Sequence, residues 1–194
     1  MILWLNGAFG SGKTQTAYEL CRGLSGSYVY DPENLGFWIR DNIPKGMRKS
    51  DFQDYPVWRE LNGRMLRYLV ERHEGHLIVP MTITNEGYYR EIAEFLPERY
   101  PIKRVILYAS RETLLKRLAS RLEGRKSWAA QQIDRCISAF DMDEAQTKIY
   151  TEHLKIRQVA EAVASAAGLV LEEDRRGGLR RGLDRVMVQC RHIR

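Results

Sequence analysis

The chain has 194 residues, 44% of them hydrophobic and 29% charged, with 15 glycines and 6 prolines; this fits one domain around one core and excludes collagen-like, mostly disordered and simple coiled-coil chains. Lys and Arg number 31 against 25 Asp and Glu, a net charge of +6 that suits anionic partners such as nucleotides, nucleic acid or acidic lipid. Cys21, Cys136 and Cys190 stand apart without a CxxC, which argues against a structural zinc site and a disulfide scaffold.

Met1 to Leu5 is an apolar run without polar alternation, the pattern of a buried parallel strand, and a glycine-rich turn follows at once. That turn stands where a signal peptide would need an apolar core, and no apolar run reaches membrane-spanning length, so the expectation is a cytoplasmic protein. Thr14 to Gly23 reads as a helix. Tyr28 to Tyr30 reads as a strand stopped by Pro32, with Asp31 at its carboxyl end. Glu33 to Arg72 is loopy at first, then periodic from Val57 onward. Leu77 to Val79 is a third strand, Glu86 to Glu94 a helix, Arg104 to Ala109 a fourth strand and Arg111 to Glu123 a helix. Gln131 to Asp141 looks helical, Lys148 to Tyr150 is a short fifth strand, and Ile156 to Ala167 is a helix. This alternation predicts an α/β three-layer sandwich around a mostly parallel five-stranded sheet.

Gly7-Ala8-Phe9-Gly10-Ser11-Gly12-Lys13-Thr14 matches the phosphate-loop pattern GxxxxGK[ST]. Glycines let backbone amides turn inward as a nest, Lys13 brings a cation to the β and γ phosphates, and Thr14 offers a hydroxyl to Mg²⁺. With Gln15 these residues form the expected nucleotide site, and the helix behind them points its positive end at the anion. No Asn-Lys-x-Asp run for reading guanine occurs, so ATP is preferred to GTP. Among the strand ends, Asp31 alone is acidic, which places it in the cleft beyond the sheet. There it would accept a proton from a substrate hydroxyl or hold Mg²⁺ through water; capping the turn before Pro32 is the other use open to it.

Arg117, Arg121 and Arg125 recur every four residues along one helix face. Positioned guanidiniums stabilise the charge of a moving phosphoryl group, and a flap carrying them would expel water; the alternative is a solvated basic face. A lid is therefore expected at about residues 121–130, with Arg135 closing the same site from the next helix.

The runs NGAFGSGKTQT (6–16), VYDPE (29–33), DFQ (51–53), VPMT (79–82) and SWAAQQIDRC (127–136) resemble the tunicamycin-resistance proteins, a bacterial P-loop family similar to small-molecule and nucleotide kinases. The resemblance runs nearly end to end. It implies a nucleotide-kinase-like P-loop NTPase fold, ATP binding, resistance to a nucleoside antibiotic and peripheral association with the inner face of the cell membrane. It assigns the nucleotide role to Gly12, Lys13 and Thr14, and matches Asp31, Arg117 and Arg121 to kinase relatives. The expected activity is ATP-dependent phosphoryl transfer to a hydroxyl of a small nucleoside-like molecule such as tunicamycin. Sequestration of the drug without modification is the alternative.

By the same comparison, Phe37, Trp38, Phe52 and Trp58 are candidates to line an apolar acceptor pocket, with Arg40 and Arg59 gripping an anionic part of the ligand. Each ring has core packing as its competing use. The four histidines show no metal spacing. The phosphate-loop domain is expected over residues 1–173 and a basic extension over 174–194, where seven arginines against two aspartates hold +5 of the net charge. Leu179, Leu183, Val186, Met187 and Cys190 recur at helical intervals, the signature of a helix lying on an anionic membrane. Packing on its own domain is the alternative. A nucleic-acid arm lacks a continuing basic stripe elsewhere.

Overall fold

The computed structural model describes residues 1–120, 127–174 and 176–191. Among them run β1 (Ile2–Gly7), α1 (Lys13–Gly23), β2 (Tyr28–Val29), α2 (Glu33–Asp41), α3 (Pro56–Val70), β3 (Leu77–Pro80), α4 (Glu86–Ala93) and β4 (Ile102–Tyr108). They continue with α5 (Arg111–Ala119), α6 (Trp128–Gln131), α7 (Ile133–Asp141), β5 (Thr147–Tyr150), α8 (Ile156–Ala166) and α9 (Gly178–Arg191). The five strands lie in the order β2-β3-β1-β4-β5 with every pairing parallel. The expected doubly covered sheet is thus present.

Strand alternation sorts the apolar residues into two cores. Leu3, Leu5, Ile78, Val105 and Leu107 face α1 and α8, where Ala17, Leu20, Val159 and Val163 meet them. Ile2, Trp4, Leu77 and Val79 face the other way, onto Ile39, Trp58, Leu66 and Ile92 of α2, α3 and α4. Each such large side chain, fully enclosed, contributes roughly 1.5–3 kcal/mol. A third cluster, with Ile106, Leu114, Leu118, Ile133 and Phe140, seats α5 and α7 beside β4.

Pro80 lies inside β3 without disturbing the sheet. Tyr30 donates its amide to the Ile78 carbonyl and Met81 donates to Leu5, so the alternation turns residue 80 toward β2, which has already ended at Val29.

Strand ends shift by one or two residues from the sequence-based expectation, and two helices differ more. The helix expected over Gln131 to Asp141 begins earlier, as α6, because Ser127 caps it by accepting from the Ala130 amide. The described part of the helix expected over Arg111 to Glu123 is α5, ending at Ala119; residues 121–126, with Arg121, Arg125 and most of the expected lid, lie outside the described residues.

α9 docks on α1. Arg176 is its anchor: the guanidinium reaches Glu19 at 2.9 Å, Asp174 at 2.8 Å and Asp184 at 2.7 Å. Glu19 is buried, and a buried carboxylate needs such partners. Val188 is enclosed, whereas Leu179, Leu183, Val186 and Met187 are exposed, Leu179 at 90%. The helical period expected in the tail is present, and its apolar row faces outward.

Candidate functional site

The phosphate loop joins β1 to α1, and its shape follows from glycine. Gly7 has φ 144°, and a Cβ there would stand 2.6 Å from the Leu107 carbonyl oxygen; Gly10 has φ 84°, with a Cβ placed 2.9 Å from the Leu114 carbonyl oxygen. No side-chain-bearing residue combines those dihedrals with that closeness, so the loop lies flat against β4 and α5. Ala8 is buried, and Phe9 packs edge-on against Trp128 at 5.0 Å between centroids, tying α6 to the loop. Lys13 is buried; its Nζ donates to the carbonyls of Gly7 at 2.9 Å and Ala8 at 3.1 Å and stands 5.5 Å from the Phe9 ring centroid. The ammonium is therefore pre-placed over the loop.

Whether these residues suit a triphosphate is tested by an orphaned atom. The Ser11 hydroxyl is buried and has no hydrogen-bond partner among the described residues. A buried hydroxyl left unpaired is costly, and a phosphate oxygen is a natural acceptor for it. Thr14, half-buried in the first turn of α1, presents the hydroxyl that a nucleotide-bound cation uses. The donor set fits ATP with Mg²⁺. The Gln15 side chain donates to the Arg185 carbonyl of α9 at 2.9 Å, so its expected nucleotide role falls to the backbone amide in the first turn of α1.

Asn6, at the end of β1, has no exposed surface. Its amide donates to the Ile83 carbonyl at 2.8 Å, and its oxygen accepts from the amides of Ile83 and Gly7, each at 3.0 Å. Thr82, also buried, donates its hydroxyl to the Gly7 carbonyl at 2.8 Å. The segment after β3 is thus fastened to the first residue of the phosphate loop. Sequence reasoning missed both roles, because each partner lies far along the chain.

Beyond that fastening opens a cleft of about 490 Å³, lined by Gln53, Asp54, Thr84, Asn85, Glu86, Tyr88, Arg135 and Ala139, within the size range of small-molecule sites. Arg135, expected as a closing residue, forms one wall. Its Nη2 lies 2.6 Å from Oδ2 of buried Asp51, which also accepts from the Gln53 amide at 3.1 Å and from the Gln53 side chain. Lys13, Arg135 and Asp51 all act on the thiol of fully buried Cys136: burial pushes this thiol up, Lys13 and Arg135 pull it back, and Asp51 adds to the rise. A second concavity, about 530 Å³, lies between α1, α8 and the start of α9. Arg157, Asp174 and Arg176 of its lining pair with neighbouring charges, so it is the docking junction of α9, away from the phosphate loop.

Asp31 sits at the end of β2, where its Oδ1 accepts from the Glu33 amide at 3.0 Å at the start of α2. The turn-capping use is therefore present, and it occupies one oxygen of the carboxylate. Arg117 closes its fork on Thr151, Nη1 to the hydroxyl at 2.9 Å and Nη2 to the carbonyl at 2.7 Å, at the loop between β5 and α8.

The candidate aromatic residues are scattered. Trp58 has no exposed surface and donates its indole N–H to the Pro32 carbonyl at 3.0 Å, so it fills the core. Trp38 is 60% exposed. Phe37 and Phe52 pack edge-to-face at 4.9 Å, with the Arg40 guanidinium 5.0 Å and 5.3 Å from their centroids. Arg59 is buried; its Nε lies 2.5 Å from Glu91, Nη1 donates to the Gln53 carbonyl, and its guanidinium stands 4.1 Å from the Tyr88 centroid. Arg59 thus braces the cleft from behind.

Residues 2–142 match the AAA domain family. No curated protein matches in sequence. Among solved structures, the Deinococcus radiodurans tunicamycin resistance protein superposes with a TM-score of 0.74 at 32% identity, covering 89% of this chain and 98% of that one. A sugar kinase from Janibacter sp. (TM-score 0.61, 12% identity, 87% and 94% coverage) and a gluconokinase from Sinorhizobium meliloti (TM-score 0.61, 14% identity, 86% and 90% coverage) share the fold. With a glycine-shaped phosphate loop, an all-parallel sheet and this end-to-end similarity, the chain belongs to the AAA-domain P-loop proteins and, within them, to the tunicamycin-resistance protein family.

Proposed function

We propose that the protein is an ATP-dependent phosphotransferase that modifies a hydroxyl of a small nucleoside-like compound and so gives resistance to tunicamycin. The observation that carries this reading is the adjacency of two sites: a phosphate loop with a buried lysine, and a polar cleft fastened to it through Asn6 and Thr82. A hydrolase needs a place for water, whereas a transferase needs a second pocket beside the phosphate loop.

Bound ATP would supply the phosphoryl group, and Mg²⁺, which the Thr14 hydroxyl would help to hold, would offset its charge. Lys13 stabilises the negative charge that builds on the phosphate oxygens. The Asp31 carboxylate accepts the proton of the acceptor hydroxyl. Arg135, oriented by Asp51, adds a guanidinium that stabilises the charge of the transferred group.

Incubation with ATP, Mg²⁺ and tunicamycin followed by mass measurement is the test: the drug gains one phosphoryl group, and recovery of unmodified drug at high occupancy would instead establish sequestration. Asp31→Asn is expected to leave ATP affinity within about twofold and reduce transfer by roughly 10²-fold or more.

α9 supports a membrane-facing location for the same activity. No helix among the described residues is long and apolar enough to cross a membrane. The outward row of Leu179, Leu183, Val186 and Met187, flanked by Arg180, Arg181 and Arg185, has the composition of an interfacial helix on anionic lipid. The full chain should bind anionic vesicles at low salt and release them at high salt, while residues 1–173 should not bind.

A further inference from the structure

The geometry points to a saccharide-reading role for the cleft beside the phosphate loop: it recognises a neutral, polyhydroxylated ring of the acceptor rather than a nucleobase, an acyl chain or an anion. This inference rests on the cleft being the acceptor site of the activity proposed above, and it names what that acceptor must present.

The lining decides the class. Asp54 is exposed at the mouth of the cleft, and the Tyr88 hydroxyl donates to its Oδ1 at 3.5 Å, a long contact that leaves the carboxylate most of its acceptor capacity. Glu86 is held by the fork of Arg104, at 3.1 Å and 2.8 Å to its two oxygens. A carboxylate oxygen has a second lone-pair site, so Glu86 is fixed in place and still able to accept. Asn85 uses its oxygen to cap α4, accepting from the Gly87 amide at 2.8 Å and the Tyr88 amide at 3.4 Å, so its offer to a ligand is the two donors of its NH₂ group. Thr84 presents a hydroxyl that both donates and accepts, and Arg135 has further N–H donors beyond the one given to Asp51. Acceptors and donors are therefore interleaved within one concave surface. A hydroxyl donates and accepts at once, and a ring carrying several of them is the ligand that satisfies such a surface.

The competing classes fail on the same residues. An acyl chain would desolvate the carboxylates and amides and give them nothing in return. An anionic acceptor would meet Asp54 and Glu86. A flat base needs an open aromatic face; Tyr88 is the aromatic residue of this lining, and a face of it is taken by the Arg59 guanidinium at 4.1 Å. None of Phe37, Trp38, Phe52 and Trp58 lines this cleft.

The test uses the full chain with ADP and Mg²⁺ and four probes, methyl β-D-glucopyranoside, uracil, succinate and hexanoate, followed by saturation-transfer NMR. The glucoside is expected to bind at least about tenfold more tightly than the other three, since a site built to bond hydroxyls discriminates strongly against ligands lacking them. Asp54→Ala and Thr84→Val are each expected to weaken glucoside binding about tenfold while leaving ADP affinity and thermal stability in place. Preference for uracil, succinate or hexanoate, or glucoside binding unmoved in both variants, overturns the inference. The mass measurement on tunicamycin is read separately. Absence of transfer together with Asp54-dependent glucoside binding removes the phosphotransferase reading and upholds the saccharide subsite; transfer with no preference for the glucoside does the reverse.

Discussion

The phosphate loop takes its groups from one continuous run, residues 7–14, and shapes them with backbone dihedrals that glycine alone tolerates. The cleft beside it takes its groups from residues 53 and 54, from 84 to 88, and from Arg135 on α7, brought together by α3, the end of β3 and the packing of α7. Local geometry shapes the first site, and the packing of β4 and α5 and the bonds of Asn6 and Thr82 fasten it in place. The second exists only if distant segments are held in register. Nucleotide binding should accordingly be hard to abolish except at the loop itself, whereas acceptor binding should respond to substitutions deep in the core.

Lys13→Ala attacks the loop directly and carries the largest expected effect. ATP affinity, measured by calorimetry, should fall by 10²-fold or more, with the circular dichroism spectrum unchanged. Retained affinity would mean that the loop works through its amides alone. Trp58→Ala reaches the cleft from within. Removing a fully buried indole should destabilise the fold by about 3–5 kcal/mol in urea unfolding, and because Trp58 holds the Pro32 carbonyl, acceptor binding should weaken more than ATP binding. Trp38→Ala is the matched control at 60% exposure, with an expected change within about 0.5 kcal/mol.

The smallest effect concerns α9, which belongs to neither site. Hydrogen bonds from Arg176 hold the Asp174 carboxyl down to about 2, against an ordinary value of 3.8. A depressed carboxyl contributes its stabilisation in full above the ordinary value and loses it as pH falls through the folded one. Docking of α9 should therefore persist at pH 4 and fail toward pH 2, read as pepsin cleavage within residues 178–191 while near-ultraviolet circular dichroism of the core is still intact. Arg176→Ala should produce the same cleavage at pH 4.

What was legible in the sequence divides along the same line. β1, the loop and α1 were readable because an apolar run, three glycines and a helical period are adjacent. The layered sheet was readable because strands and helices alternate along the chain with short connections. The cleft was not, since the Asp51–Arg135 pair spans 84 positions and the Asn6–Ile83 bonds span 77, and pairing over such distances leaves no local periodicity. Aromatic content could not separate Trp58 from Trp38, because an indole fits a core and a surface alike until the neighbours are known. In α9 the amphipathic period was readable but the docking face was not. Ion pairs from Glu19 and Arg176 orient the helix there, leaving its leucines outward.

Asn6 links the two halves of the site. One buried amide spans the start of the phosphate loop and the segment after β3 that leads into the cleft at Thr84. Were ATP to raise the affinity for an acceptor through this link, the acceptor would have to raise the affinity for ATP by the same factor. A drug-sized molecule arriving alone would then find a looser pocket than one arriving after the nucleotide, and binding order would be set by a single asparagine.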